Sequence, residues 1–92
     1  MSNKIREHII FEGRVQGVGF RYKLSHLAGY YGVTGWVRNE YDGTVEAQMQ
    51  GLPAEIDLII QELRQDRYIR LDGITRKKIP VSPEEHSFHV RY

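Results

Sequence analysis

The chain has 92 residues, 40% of them hydrophobic and 27% charged, which suits one globular domain over residues 1–92 and excludes a disordered protein. Its formal net charge of +1 excludes the strongly basic surface typical of nucleic-acid-binding proteins, and the lack of cysteine excludes disulfides, thiol nucleophiles and cysteine-based zinc sites. Because no apolar run approaches the ~18 residues of a membrane span and the N-terminus lacks the apolar segment of a signal peptide, we expect a cytoplasmic protein without a membrane partner.

The first part of the chain changes from a strand pattern to a helix pattern. Ile5–Gly13 alternates hydrophobic and polar residues, which predicts a strand with one buried face. From Phe20 the hydrophobic residues recur at helical spacing. They are Phe20, Leu24, Leu27, Ala28 and Tyr31. Gly32 follows at the position where glycine commonly ends a helix.

The next elements are two strands and a second helix. Val33–Asn39 is rich in residues that favour strands, and Thr44–Gln50 alternates strictly. Asp42-Gly43 lies between them and suits the positive φ angles of a tight hairpin. A second helix is predicted to start near Pro53, since proline is common at the first helical position.

Two strand patterns complete the chain, Ile69–Ile79 with an expected bulge at Gly73, and the alternating residues Phe88–Tyr92. The predicted order is βαββαβ with a possible extra strand. That order is the split βαβ arrangement, an α+β fold in which two helices cover one face of an antiparallel sheet.

The segment between the first strand and the first helix is unusual in its glycines. Gly13, Gly17 and Gly19 fall within seven residues, and no Ser, Thr, Asp or Asn caps the following helix. Free backbone N–H groups at a helix N-terminus favour an anion, and Arg21 in the first turn adds a fork that can bind a phosphate through two donors. Taken alone, the segment is also compatible with a plain glycine-rich connection and a surface arginine.

A second segment, Gly35-Trp36-Val37-Arg38-Asn39, ends the next predicted strand. An asparagine at that position commonly forms a turn, but a neutral amide can also orient a water molecule. The four histidines have no carboxylate at ligand spacing, so the sequence predicts no metal site.

Together these segments resemble the two signatures of the acylphosphatases. Residues 11–21, read Phe-Glu-Gly-Arg-Val-Gln-Gly-Val-Gly-Phe-Arg, are similar to the first. Residues 35–39, followed by Gly43-Thr44-Val45 and Gly51, are similar to the second at the family's spacing. Ala28, Gly32 and the residues 88–92 also fit, so the resemblance spans nearly the whole chain.

The resemblance implies a ferredoxin-like α/β sandwich that hydrolyses acyl phosphates to a carboxylate and inorganic phosphate. It implies that Arg21 binds the phosphate and that Asn39 positions the attacking water. The backbone cradle for the phosphate then corresponds to Val15, Gln16, Gly17, Val18, Gly19 and Phe20. We expect no cofactor, no metal and no nucleic-acid partner, only a small acyl phosphate and its phosphate product, and a monomer.

Two departures from the family pattern concern loop detail and substrate preference. Asp66-Arg67-Tyr68 occupies a region where members often have Gly-Pro, and Leu24 stands where some have threonine. Alternative functions are a non-enzymatic ferredoxin-like binding module for RNA or protein, a catalytically silent relative, or a domain of a larger maturation protein. The RNA alternative conflicts with the absence of aromatic residues in Thr44–Gln50.

Overall fold

The computed structural model describes residues 3–92, which form five strands and two helices. In chain order they are β1 (Ile5–Arg14), α1 (Phe20–Tyr31), β2 (Thr34–Asn39), β3 (Val45–Gly51), α2 (Pro53–Arg64), β4 (Arg70–Ile79) and β5 (Phe88–Val90). The strands form one sheet in the order β4-β1-β3-β2-β5, antiparallel except for the β2–β5 pair. The predicted α+β, ferredoxin-like βαββαβ fold is confirmed, and the extra strand is β5.

The core lies between the two helices and one face of the sheet. Alternate residues of the central strands, including Phe11 and Val45, point to this face and are fully buried. From the helices, side chains at helical spacing such as Leu24 and Ile59 complete the core. Burying a large apolar side chain contributes about 1.5–3 kcal/mol, so the two periodicities that predict the elements also account for how they pack.

The bulge predicted in β4 is present, and the predicted β2–β3 hairpin turn is present in part. The β1–β4 register shifts between Glu12 and Gly13, next to the expected bulge, because Gly13 pairs with Leu71 while Glu12 pairs with Gly73. In the β2–β3 turn only Gly43 has a positive φ, of +91°. The expectation of positive angles at Asp42 as well is wrong. Its carboxylate instead accepts hydrogen bonds from the Thr44 backbone N–H and hydroxyl, at 3.0 and 2.7 Å.

The connection from β4 to β5, residues 80–87, crosses the sheet face opposite the helices, since these strands lie at opposite edges. The buried Arg6 side chain donates to both carboxylate oxygens of Glu85, at 2.7 and 3.0 Å. Gln50 exchanges two hydrogen bonds with the backbone of Ser82, at 2.7 and 2.9 Å. These contacts hold the connection in place and so fix where β5 begins beside β2.

A polar cluster on this same face ties three strands together. Glu46 on β3 lies 2.6 Å from His8 on β1 and 2.8 Å from Arg38 on β2. The side-chain hydrogen bond with Glu40 has the largest effect on the pKa of Glu46, and those with His8 and Arg38 add to it. Together they lower this pKa to about 2, although burial opposes the shift. The ionised carboxylate therefore anchors β2 immediately before Asn39.

Trp36 is buried, although it is not part of the hydrophobic core cluster. Its position on β2 places it on the face opposite the helices. Arg38 and Arg91 lie over its ring, with guanidinium carbons 5.2 and 4.5 Å from the centroid. Within residues 3–92, neither helix is long and apolar enough to span a bilayer.

Candidate active site

The loop between β1 and α1 is anchored in the core at both ends. Val15 and Phe20 are buried, and the Phe20 ring packs against Phe11 with centroids 4.9 Å apart. Val18 is half-buried against the same core. Because these side chains point inward, the loop presents its backbone on the outside, as a cradle for a small anion requires.

Gly17 and Gly19 give this loop its shape. Both have left-handed φ angles, +73° and +78°, which L-residues with a side chain rarely adopt. Gly19 also provides the N-cap of α1 and therefore supplies no side-chain hydrogen bond. The first intrahelical bond in the region joins Lys23 N to Gly19 O at 3.0 Å, so the N–H groups before Lys23 have no intrahelical acceptor. The predicted uncapped helix start is confirmed.

Gln16 connects the loop to the turn that follows Asn39. Its side-chain amide nitrogen donates to the carbonyl oxygens of Glu40 and Thr44, at 2.7 and 2.9 Å. Glu40 and Thr44 are the two ends of that turn and are themselves paired, N to O, at 2.9 Å. One amide group therefore holds the loop and the end of β2 at a fixed separation.

We expect Gln16→Met to loosen both parts of the site at once. Two carbonyl oxygens lose their donor, which predicts a loss of about 1–2 kcal/mol in the free energy of unfolding. Because the loop is displaced relative to Asn39, kcat/KM should fall by about tenfold. Urea unfolding and phosphate-release kinetics measure the two effects. The exposed Gln61→Met on α2 is the matched control, and an equal loss in that variant would contradict the role of Gln16.

Arg21 is a cation without a carboxylate partner among the described residues. Its guanidinium carbon lies 5.0 Å from the centroid of the Tyr92 ring, and the first turn of α1 contains no acidic residue. Lys23, two residues later, is instead paired with Asp66 at 2.8 Å. Arg21 therefore remains available to an anion at the helix N-terminus, where the helix dipole favours negative charge.

Asn39 ends β2 on the same side of the sheet as Val37, which lies in the core. Its side-chain oxygen Oδ1 is buried and has no hydrogen-bond partner within residues 3–92. Buried polar atoms are nearly always paired in folded proteins, and leaving one unpaired costs about 1–3 kcal/mol. Such an atom calls for a functional explanation, because shaping a turn would not require it.

These groups meet in one cleft of about 280 Å³. It is lined by Val15, Gly17, Gly19, Phe20, Arg21, Tyr22, Ser25, Asn39, Val90 and Tyr92. Six of the eight predicted site residues are in this lining. The other two lie outside the lining. Gln16 hydrogen-bonds to the turn after Asn39, and Val18 packs against the core. Among residues 3–92, Arg21 is the one charged side chain in this lining, so the side chains of the cleft carry a positive charge.

Four further residues line the cleft although no sequence pattern indicates a site role for them: Tyr22, Ser25, Val90 and Tyr92. Tyr22 and Ser25 lie on the first turns of α1, close to Arg21. Val90 pairs with Val37 in the parallel β2–β5 ladder, and the Arg91 N–H continues the pairing to Val37 O at 2.8 Å. Tyr92 thereby reaches the level of Asn39. Placing it needs the strand order, which no local pattern reveals.

Other ligands find less support in this structure. Within residues 3–92, no three His, Asp or Glu side chains lie close enough to hold a metal ion. The face of β1 and β3 opposite the helices presents Arg6, His8, Glu46 and Gln48, not the exposed aromatic rings on which RNA bases stack. The cleft at the α1 N-terminus is therefore the candidate active site.

Comparison with known proteins agrees with the geometry. A family model described as acylphosphatase matches residues 7–90. The chain belongs to the acylphosphatase family. It is 43% identical over 81 residues to an acylphosphatase of Clostridium acetobutylicum, covering 87% of this chain and 89% of that protein. Acylphosphatases hydrolyse acyl phosphates, and this chain is such a hydrolase.

Solved structures show the same fold in two settings. The crystal structure of the acylphosphatase from Bacillus subtilis superposes with a TM-score of 0.87 at 29% identity, covering 96% of this chain and 99% of that one. HypF from T. kodakarensis gives a TM-score of 0.82 at 29% identity, covering 96% of this chain but 12% of its own length. The acylphosphatase fold therefore also occurs as a small part of a longer protein.

The loop Asp66-Arg67-Tyr68, where the sequence departs from the acylphosphatase pattern, is held in place by the side chain of Asp66. Asp66 accepts hydrogen bonds from the backbone N–H groups of Tyr68 and Ile69, at 2.8 and 3.2 Å. The Lys23 ammonium, with the Tyr68 N–H, lowers the pKa of Asp66. An aspartate turn thus connects α2 to β4, and the departure leaves the cleft intact.

Proposed function

We propose that the chain hydrolyses acyl phosphates by in-line attack of a water molecule that Asn39 positions. The phosphoryl group is held by Arg21 and the backbone of residues 15–20. The observation that carries the proposal is the unpaired, buried Oδ1 of Asn39, which lines the same cleft as Arg21 and the left-handed glycines. Asn39 Oδ1 is a buried hydrogen-bond acceptor beside a cationic site for the phosphoryl group. It is therefore suited to hold a neutral donor, such as water, next to a bound anion.

The phosphoryl group binds where positive partial charges already converge. Backbone N–H groups of the loop and the first turn of α1 hydrogen-bond its oxygens, and the helix dipole adds to the attraction. The Arg21 guanidinium supplies two parallel donors that match two oxygens. These groups are fixed before the substrate arrives, so they stabilise the charge of the transition state without reorganising.

The water molecule donates one hydrogen bond to Asn39 Oδ1. This orientation directs a lone pair of the water oxygen at phosphorus. A new P–O bond forms from this oxygen as the bond between phosphorus and the acyl oxygen breaks. The electron pair of the broken bond departs with the carboxylate, and a proton of the water passes to a phosphoryl oxygen. The products are a carboxylate and inorganic phosphate, and atoms and charge balance.

The leaving group explains why so few side chains suffice. Carboxylic acids have pKa values of about 4, so a departing carboxylate needs no general acid, whereas a phenolate, whose acid has a pKa of about 10, would need one. Among residues 3–92, the side chains that line the cleft include no carboxylic acid and no imidazole that could protonate a poorer leaving group. The site is therefore suited to mixed anhydrides and unsuited to phosphate monoesters.

The test compares phosphate release from benzoyl phosphate and from phenyl phosphate, with and without EDTA. We expect the acyl phosphate to be hydrolysed at least about 10³-fold faster, since the two leaving groups differ by about six pKa units. EDTA should have no effect, because the cleft lining offers no carboxylate or imidazole ligands. Comparable rates on both substrates, or a loss with EDTA that Mg²⁺ restores, would overturn the proposal.

A further inference from the structure

The position of the Asn39 side chain depends on the backbone that carries it, because Oδ1 has no hydrogen-bond partner within residues 3–92. Gln16 holds this backbone from the loop before α1, through the carbonyl oxygens of Glu40 and Thr44. Arg38 points to the opposite face of the sheet from Asn39, and its Nε donates to Glu40 Oε1 at 3.0 Å. The two chain neighbours of Asn39 are therefore joined by their own side chains.

Glu46 connects these neighbours of Asn39 to the rest of the sheet. It lies directly opposite Arg38 in the β2–β3 ladder. Its Oε1 accepts from two nitrogens of Arg38, from Nη2 at 2.8 Å and from Nε at 3.1 Å. Its other oxygen, Oε2, lies 2.6 Å from Nε2 of His8. One carboxylate therefore links the end of β2, through Arg38, to β3 and β1.

The link through Glu46 is charged and largely shielded from solvent. The Glu46 side chain is 16% exposed, and its pKa of about 2 keeps it ionised at neutral pH. Ion pairs with a buried partner are screened less by salt than exposed ones, and removing a partner from a buried carboxylate is costly. Arg38 is therefore held against Glu46, and the end of β2 is held with it. Because Glu46 lies outside the cleft lining, any effect on the reaction passes through these neighbours.

We propose that Glu46 is a positioning residue for the hydrolysis. Through Arg38 it fixes the end of β2, so that Asn39 Oδ1 holds the water in line with the phosphoryl group. This inference rests on the proposed function, because it requires Asn39 to position the water. A displacement of about 1 Å can lower a rate by about 10²-fold, so the effect is expected on turnover. Arg38 and His8 lie outside the phosphate cradle, so phosphate binding should change little.

The experiment measures kcat for benzoyl phosphate, inhibition by inorganic phosphate and urea unfolding in Glu46→Gln, in Asn39→Ala and in the double variant. Glutamine keeps the shape of the side chain but removes its charge and has one acceptor oxygen in place of two. We expect Glu46→Gln to lower kcat by about tenfold and to leave phosphate inhibition nearly unchanged. Added to Asn39→Ala, the same substitution should leave kcat nearly unchanged, because residues that act as a unit are not additive. A general structural defect would lower kcat equally in both backgrounds.

Glu7→Gln is the matched control. Glu7 also forms a cross-strand ion pair with an arginine, Arg76 on β4, at 2.7 Å, and its side chain is 11% exposed, but it lies outside the cleft lining. We expect this variant to lose stability in urea and to keep its kcat.

The outcomes separate the two proposals. An unchanged kcat in Glu46→Gln, an equal fall in Glu7→Gln, or an equal fall when Glu46→Gln is added to Asn39→Ala overturns the role of Glu46. A large loss of kcat in Asn39→Ala alone would still support the proposed function in each of these cases. If Asn39→Ala keeps normal turnover, the water-positioning step of the proposed function fails and the role of Glu46 fails with it.

Discussion

Arg21→Ala is expected to lower kcat/KM for benzoyl phosphate by about 10³-fold, the scale of losing a donor that stabilises transition-state charge. Inorganic phosphate should also inhibit the variant much more weakly, because substrate and product share the cradle. The structure favours a large effect, since Arg21 has no carboxylate partner among residues 3–92 that would compete for it. Steady-state kinetics with phosphate as a competitive inhibitor measures both quantities.

Two further variants identify what Arg21 contributes. Arg21→Lys keeps the charge but lacks the planar fork, so it should recover little of the activity. Arg14→Ala removes the same charge from an exposed position just before the loop, outside the cleft lining, and should stay within a few-fold of the unmodified enzyme. Tight phosphate inhibition of Arg21→Ala would show that the backbone loop alone makes the site.

Local patterns were sufficient to predict most of the fold. The hydrophobic residues at helical spacing from Phe20 predict both ends of α1 correctly. They do so because the side chains that form this pattern are the ones that pack against the core. Three of the strands begin one residue later than predicted, at Thr34, Val45 and Arg70, where pairing in the ladder and not residue type decides the boundary. The C-terminal strand is shorter than its alternation suggests, since β5 spans Phe88–Val90 and not Phe88–Tyr92.

The parts of the site that depend on distant contacts could not be predicted. Gln16 binds carbonyl groups 24 and 28 residues away, and no local spacing encodes such a bond. Tyr92 reaches the cleft through the parallel pairing of β5 with β2, which requires knowledge of the strand order. The contact of Arg91 with the Trp36 ring, on the face opposite the helices, is likewise not encoded in any local spacing.

Asn39→Ala is expected to lower kcat by about 10²-fold or more while inhibition by inorganic phosphate changes little. A misplaced nucleophile can cost this much, and an interaction used mainly in the transition state is lost from kcat rather than from KM. The structure adds a prediction about stability. Because Oδ1 has no protein partner within residues 3–92, its removal breaks no hydrogen bond that it accepts, and the thermal midpoint should stay at or above that of the unmodified protein.

A purely structural role for Asn39 predicts the opposite pattern. If Asn39 only shaped the β2–β3 turn, the variant would be less stable and proportionately less active. Asp42→Ala would then mimic it, since Asp42 stabilises the same turn by accepting from Thr44 at 3.0 and 2.7 Å but lies outside the cleft lining. Turnover, phosphate inhibition and thermal midpoint are therefore measured on both variants. We expect Asp42→Ala to lose stability and keep its kcat, and Asn39→Ala to lose kcat and keep its stability. A folded Asn39→Ala with normal turnover would remove Asn39 from the mechanism.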